Sequence, residues 1–304
     1  MQKRLLITGA GGVLGRSLLP MLGERGEYSL FVATTDVKKY AGVEYVAPVS
    51  ANLLSAVERE SLFAETRPEI LVHLAWDQRD ASFKGGSSNL EWLAAGLDIL
   101  RLFGANGGRR AIFAGSSSEY EAYSGGFAED GAKRPMSQYG ACKLALTDAA
   151  LPYAAKFGIG LAVARYFTIY GENDSHEFGA IPMAIRSFSE GEPVRCNAPY
   201  AIRDYVYAGD AAAATVAILE SGFSGIINVA SGRPRTMKEV FKTIAEEMGC
   251  ERLLSFNENL GRNDVFVAQT SRLNDEIGFA CATDFRDGIR RCVERRRRPA
   301  ETRV

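Results

Sequence analysis

The sequence predicts an α/β fold: a doubly wound parallel sheet with a smaller, discontinuous C-terminal domain. Three observations predict it. Strand-like and helix-like stretches alternate from residue 4 to residue 166. The strand-like stretches are near-continuous apolar runs, which is how strands covered on both faces read. A glycine-rich turn joins the first strand to the first helix, the junction such sheets use. With 304 residues, 46% of them hydrophobic, the chain can bury one large core or two modest ones.

Each element has its own warrant. Residues 4–8 are a short apolar strand, and "VLGRSLLPMLGERG" after the glycines has helical spacing. Residues 28–34 form a second strand and 45–49 a weaker third. A helix ends before Arg67-Pro68, and an apolar strand follows at 70–75. "NLEWLAAGLDILRLFGANG" is an amphipathic helix stopped by glycines. Residues 110–114 are a fifth strand, 139–157 a helix that Pro152 is expected to kink, and 160–166 a sixth strand. After Gly171 the regularity breaks, and 172–204 reads as irregular. "AGDAAAATVAILES" then reads as a helix and "GIINVA" as a strand able to rejoin the sheet, before a tail of small helices and short strands. The expected division is 1–171 plus about 205–232 as one domain, and 172–204 plus 233–304 as the other.

A net charge of −1 gives no general pull toward nucleic acid or a membrane surface. The basic run at 295–298 reads as a solvated tail. The five cysteines form no C-x-x-C pair, and the two histidines, His73 and His176, are far apart. A disulfide framework or a metal site is therefore not expected, and a cytoplasmic location is. No apolar stretch has the length of a membrane span. His176 receives no role.

"ITGAGGVLGRSLL" sets Gly9, Gly12 and Gly15 at three-residue intervals between strand and helix. Glycines there permit a tight turn and close approach of a pyrophosphate, which helix N-terminal amides favour. The motif predicts a dinucleotide. The end of strand two, "FVATTDVKK", bears on which one. Asp36 suits the ribose hydroxyls of NAD, whereas Thr34, Thr35, Lys38 and Lys39 would host the phosphate of NADP. The expectation is NADP or NAD, with a lean to NADP.

Strand five ends in "AIFAGSSSEYEAY", so Ser116, Ser117 and Ser118 fall beyond a strand's carboxyl end, where ligands sit. "SQYGACKLA" then puts Tyr139 and Lys143 four residues apart, on one helical face.

With these pieces in order, the sequence resembles the extended short-chain dehydrogenase/reductases, in the nucleotide-sugar epimerase, dehydratase and 4-ketoreductase branch. "TGAGGVLG", "HLAW", Asn89, "GSSSEYE", "YGACK", "RYFTIYG", "IRDYVYAGDAA" and "ASGRPRTMKEV" carry the resemblance along nearly the whole chain. "RCNAPYAIRDYVY" and "IGFACATDFRDGIRR" are most similar to 4-ketoreductases of the abequose synthase type. The resemblance implies a Rossmann dinucleotide-binding domain and a nucleotide-sugar-binding domain. It makes Tyr139 the proton donor or acceptor at a sugar oxygen. Lys143 would lower the phenol pKa and hold the nicotinamide ribose, and Ser116, with Ser117 as runner-up, would bond the same oxygen. Val13, Leu14, Asn52, Leu53, Leu74, Ala75, Trp76, Tyr166 and Phe167 would meet the cofactor. Trp76 reads more readily as core packing. Ser117, Ser118, Asn89 and Thr168 would face the substrate, Asn89 alternatively serving as a helix cap. Arg203 and Arg262 would hold the nucleotide diphosphate.

Three positions depart from the family pattern. Glu121 stands where many relatives have Gly, Thr168 where many have Asn, and Asn52 where Asp is usual. Dehydratases carry an acidic pair where this chain has Ser117 and Ser118, which disfavours that chemistry. The expected partner is a nucleotide-diphosphate sugar, and the expected assembly a homodimer. The expected reaction is reduction of a 4-keto sugar. A nucleotide-sugar 4-epimerase is the alternative, and a non-catalytic nucleotide sensor the lesser one.

Overall fold

The computed structural model describes residues 2–78, 80–120, 125–174, 178–258 and 264–297. Glu121, His176 and Arg262 lie outside the described residues. The first half runs β1 (Lys3–Thr8), α1 (Val13–Glu24), β2 (Tyr28–Thr34), β3 (Val46–Ser50), α2 (Ala56–Thr66), β4 (Ile70–His73), α3 (Ser88–Ala105), β5 (Arg110–Ser116), α4 (Gln138–Lys156) and β6 (Gly160–Tyr166). It continues with β7 (Thr168–Tyr170), α5 (Ala180–Ser189), β8 (Val194–Cys196), β9 (Ile202–Tyr207), α6 (Ala208–Ser221) and β10 (Gly225–Val229). The chain closes with β11 (Pro234–Thr236), α7 (Met237–Met248), β12 (Leu254–Phe256), β13 (Val265–Phe266) and α8 (Phe285–Arg297).

Seven strands form one sheet in the order β10-β6-β5-β4-β1-β2-β3, and all of its pairings are parallel. This is the Rossmann order, in which ligands bind beyond the carboxyl ends of the central strands. The alternation of side chains explains the apolar runs. Leu5 and Ile7 of β1 and Leu30 and Val32 of β2 pack with Leu14, Leu18 and Leu22 of α1 and Ala211 and Ile218 of α6. Leu6, Ala33 and Leu71 face the other way, onto Phe63 of α2, Ile99 and Phe103 of α3 and Leu146 of α4. A second, mixed sheet centres on β9, with β11 antiparallel to it and β7 and β13 parallel. Residues of α5, α7 and α8 pack against Tyr170, Tyr205 and Tyr207 in a separate core.

Two expectations need correction. Residues 172–204 are not irregular, since they contain α5 and β8. In α5, Ile181, Ala184, Ile185 and Phe188 are buried at helical spacing, and Pro182 sits in the first turn, where its missing N–H costs nothing. Pro152 lies inside α4, which continues on both sides of it. The basic run is not a loose tail as far as Arg297. It is the last turn of α8, where cations complement the helix dipole. There Arg296 pairs with Glu190 at 3.5 Å and Arg297 donates to the Glu247 carbonyl.

Candidate active site

The glycine turn is built as a phosphate cradle. Gly9 has φ +75°, and a Cβ on it would lie 2.6 Å from the Ala75 nitrogen. A Cβ on Gly15 would lie 2.5 Å from the Ala10 Cα, so that glycine lets α1 close on β1. A Cβ on Gly12 would meet nothing closer than 3.4 Å. Packing against the protein therefore does not demand glycine there, and close approach by a ligand does. No side chain caps α1 and no acidic residue lies in its first turn, so its leading amides are available to an anion. These residues fit a dinucleotide pyrophosphate. Gly15→Ala is expected to cost about 1–3 kcal/mol through overpacking and to weaken dinucleotide binding. Urea denaturation and NAD titration of the variant check both effects.

At the end of β2, Thr34 Oγ1 accepts from the Asp36 amide, and Asp36 Oδ1 accepts from the Lys38 amide at 3.1 Å. Thr35, Asp36, Lys38 and Lys39 are all exposed. Leu53 and Ala75 are buried and Leu74 is partly so. The Asn52 carboxamide oxygen is engaged by the Leu54 amide. Val13 and Leu14 open α1.

β5 delivers the serines. Ser116 caps the short turn that follows, its Oγ accepting from the Ser118 amide at 3.1 Å. That turn lies so close to α4 that a Cβ on Gly140 would come 2.2 Å from the Ser118 oxygen. The N-terminus of α4 is pinned by the Ser137 cap on Gly140 and by the Tyr139 amide donating to the Lys84 carbonyl at 2.9 Å. Tyr139 and Lys143 are both buried, at 6% and 4% exposure. The Tyr139 phenol accepts from Gln78 Nε2 at 2.9 Å, and Ser116 lies near enough to bear on its ionisation. Its ring is walled edge-on by Trp76 and Phe83.

Burial pushes the phenol up to about 12. Ser116 opposes that rise, the Glu119 charge adds to it, and the Gln78 hydrogen bond opposes it. The Lys143 cation does not touch the phenol as expected. Its Nζ lies 4.0 Å from the Trp76 ring centroid and donates to the Ala114 carbonyl at 2.8 Å. Burial brings Lys143 down to about 7 from an ordinary 10.5, and Glu119 works against the fall. Between those two pH values the unfolded chain therefore binds more protons than the folded one. Stability from this group rises across that window and is lost as pH falls through 7. Lys143→Met is expected to raise the Tm of the cofactor-free protein at pH 7, with the gain shrinking as pH approaches 10.5; differential scanning calorimetry across that range checks it.

Glu119 is fully buried and occupied. It accepts from the Ser116 amide at 2.7 Å, from Thr147 Oγ1 at 3.0 Å and from Arg165 Nε at 2.9 Å. Both members of its ion pair with Arg165 have 0% side-chain exposure. A carboxylate so held is a structural tie between β5, β6 and α4, not an acid that meets substrate.

Asn89 is not the helix cap, since Ser87 precedes α3. Its oxygen accepts from Trp76 Nε1 at 2.8 Å, and its amide donates to the Phe83 and Gly86 carbonyls. Asn89 thus holds the aromatic wall. Trp76 stands in that wall and also packs against the core formed with α2 and α3, as expected. Two expected cofactor contacts point elsewhere with their side chains. Tyr166 bonds Thr215 beneath the sheet at 2.7 Å, and Phe167 packs with Tyr120, Phe127 and Phe266. Thr168 is exposed. Arg203 is committed to Asp264, with Nη2 donating to Oδ2 at 2.8 Å. Gln78 went unnoticed in the sequence because nothing in its local spacing ties it to Tyr139, 61 positions away.

A turn shaped for pyrophosphate and a buried Tyr–Lys–Ser group thus lie at the carboxyl edge of one parallel sheet. Residues 5–230 match the model of the NAD dependent epimerase/dehydratase family. The chain belongs to that family. It is an NAD(P)-dependent enzyme of the short-chain dehydrogenase/reductase type. It is 28% identical over 273 residues to a UDP-glucose 4-epimerase of Corynebacterium glutamicum, covering 81% of this chain and 80% of that one. It is 24% identical over 308 residues to a dTDP-4-dehydro-6-deoxyglucose reductase of Escherichia coli, covering 95% and 96%. Its fold superposes on the UDP-glucose 4-epimerase of Thermus thermophilus in complex with NAD with a TM-score of 0.84, at 25% identity, over 96% and 98% of the two chains. Among the described residues, no group of His, Cys, Asp or Glu could hold a metal. No helix among them is long and apolar enough to cross a membrane.

Proposed function

We propose that the protein is an NAD-dependent 4-epimerase of a nucleotide-diphosphate sugar. One observation carries the reading: among the described residues the buried Tyr139 phenol stands ready to handle a proton, held by Gln78, while the carboxylate of Glu119 behind it is sealed against Arg165. Epimerisation at C4 needs one group that takes the hydroxyl proton and returns it to the same oxygen. Elimination to a 4-keto-6-deoxy sugar needs a further acid. NAD is proposed over NADP because Asp36 stands fixed at the end of β2, where a carboxylate accepts ribose hydroxyls and repels a 2′-phosphate.

The residues divide the work. The amides of Val13 and Leu14 receive the pyrophosphate, with Gly9 and Gly15 letting α1 approach. The bound cofactor supplies the hydride acceptor and donor. Tyr139 moves the proton on the C4 oxygen, and Ser116 fixes that oxygen. Lys143 orients the cofactor ribose, which would draw it off Trp76. Arg203 and Arg262 serve the diphosphate, and Ser117, Ser118 and Thr168 the sugar. Residues 1–171 with about 205–232, and 172–204 with 233–304, are proposed as the two binding halves, in a homodimer.

The second reading, a 4-ketoreductase, is favoured by the near full-length likeness to the Escherichia coli reductase and by the exposed Lys38 and Lys39. Incubation with UDP-glucose, with chromatography of the products, tests the proposal. Appearance of UDP-galactose without added cofactor supports it. Turnover of 4-keto sugars alone, at the expense of added NADPH, assigns the protein to the second reading.

A further inference from the structure

Gln78 lies two residues beyond Trp76, on the stretch that leaves β4, and its Nε2 donates to the Tyr139 phenol oxygen at 2.9 Å. The groups facing that oxygen come from three elements. Ser116 and Glu119 stand at the end of β5, Lys143 is on α4, and Gln78 follows β4. His73, behind Lys143, is held neutral, its pKa brought down to about 3 by burial and by the Lys143 charge. The ammonium of Lys143 lies 5.9 Å from the Tyr139 ring centroid and bonds a backbone carbonyl instead. Among the described residues, the phenol therefore accepts its hydrogen bond from a neutral group, Gln78, with the neutral Ser116 nearby.

We infer that Gln78 is a further catalytic residue, whose carboxamide N–H holds the Tyr139 oxygen and steadies the negative charge on it while the proton resides on the sugar. This rests on Tyr139 acting as the acid and base. A hydrogen bond to an ionised oxygen is about twice as strong as one to a neutral oxygen, so the donor favours the phenolate over the phenol. A carboxamide neither titrates nor takes the proton, so it helps at every working pH and leaves transfer to Tyr139. With Gln78 donating to the oxygen, the phenol O–H is left to point at the substrate.

The test uses NAD-loaded protein carrying tyrosine labelled at the ζ-carbon, with the Tyr139 resonance identified by its loss in Tyr139→Phe. Gln78→Met keeps length and removes the donor. It is expected to shift that resonance at neutral pH and to raise the pH at which Tyr139 ionises by about one unit. With UDP-glucose as substrate, kcat below that pH should fall about tenfold while KM stays within about twofold. Gln78→Glu, which sets a carboxylate beside the phenol, should raise the ionisation pH further. If Gln78→Met leaves both the resonance and its titration unmoved, Gln78 is not a partner of the phenol and the inference is overturned. If the resonance moves but Tyr139→Phe still turns over UDP-glucose at the native rate, the hydrogen bond is real. The catalytic role then falls, because the Tyr139 reading beneath it has failed.

Discussion

Tyr139→Phe lowers kcat by about a thousandfold, the middle of the range for loss of a positioned acid or base, and leaves the fold and the NAD content unchanged. The reason is local. The hydroxyl is the one part of the side chain with polar work, bonded by Gln78. The ring, which Phe retains, supplies the edge contacts to Trp76 at 5.9 Å and Phe83 at 5.2 Å. Steady-state turnover of UDP-glucose, with circular dichroism and cofactor content as controls, measures it. A rate within tenfold of native would remove the phenol from the chemistry.

Arg165→Met costs about 3–5 kcal/mol of stability, the usual consequence of leaving a buried charge without its partner. Glu119 and Arg165 are both sealed from solvent. The guanidinium also lies 4.5 Å from the centre of the Tyr120 ring and donates to the Glu129 carbonyl. The single substitution strands the Glu119 carboxylate. The double substitution Glu119→Gln/Arg165→Met removes both charges, keeps an acceptor for the Ser116 amide and turns a carboxamide N–H to the Thr147 hydroxyl, which can still donate to the Lys143 carbonyl, so it should recover much of the loss. Urea denaturation of the two variants compares them. Equal losses would mean that the pair is not coupled, and that the damage comes from packing alone.

The legible parts of this molecule were those in which one short stretch carries its own physics. The sheet strands showed as apolar runs because both faces are covered, and the glycine turn showed because its spacing and its place after β1 are local facts. Tyr139 and Lys143 showed because a helix puts positions four apart on one face. The structure adds what distance in sequence hides. Gln78 reaches Tyr139 and Arg165 reaches Glu119 across folded space. No periodicity marks either contact. The spacing that places Lys143 beside Tyr139 is equally silent on where its flexible stem points, and the ring of Trp76 claims the ammonium. Asn89 was readable as a polar residue opening a helix, but its real partners, Trp76 and the 83–86 carbonyls, come from outside the helix. The missed helix α5 had its signal in the spacing of Ile181, Ile185 and Phe188, masked by Pro182 and the glycines around it.

The most direct test of the central claim is mass spectrometry of the small molecules released when freshly purified protein is denatured. An epimerase keeps its cofactor through the cycle, because the hydride that leaves C4 must return to the sugar. The account predicts NAD⁺ at close to one molecule per chain. Protein that releases no dinucleotide, and then binds and consumes NADPH at each turnover, would contradict it.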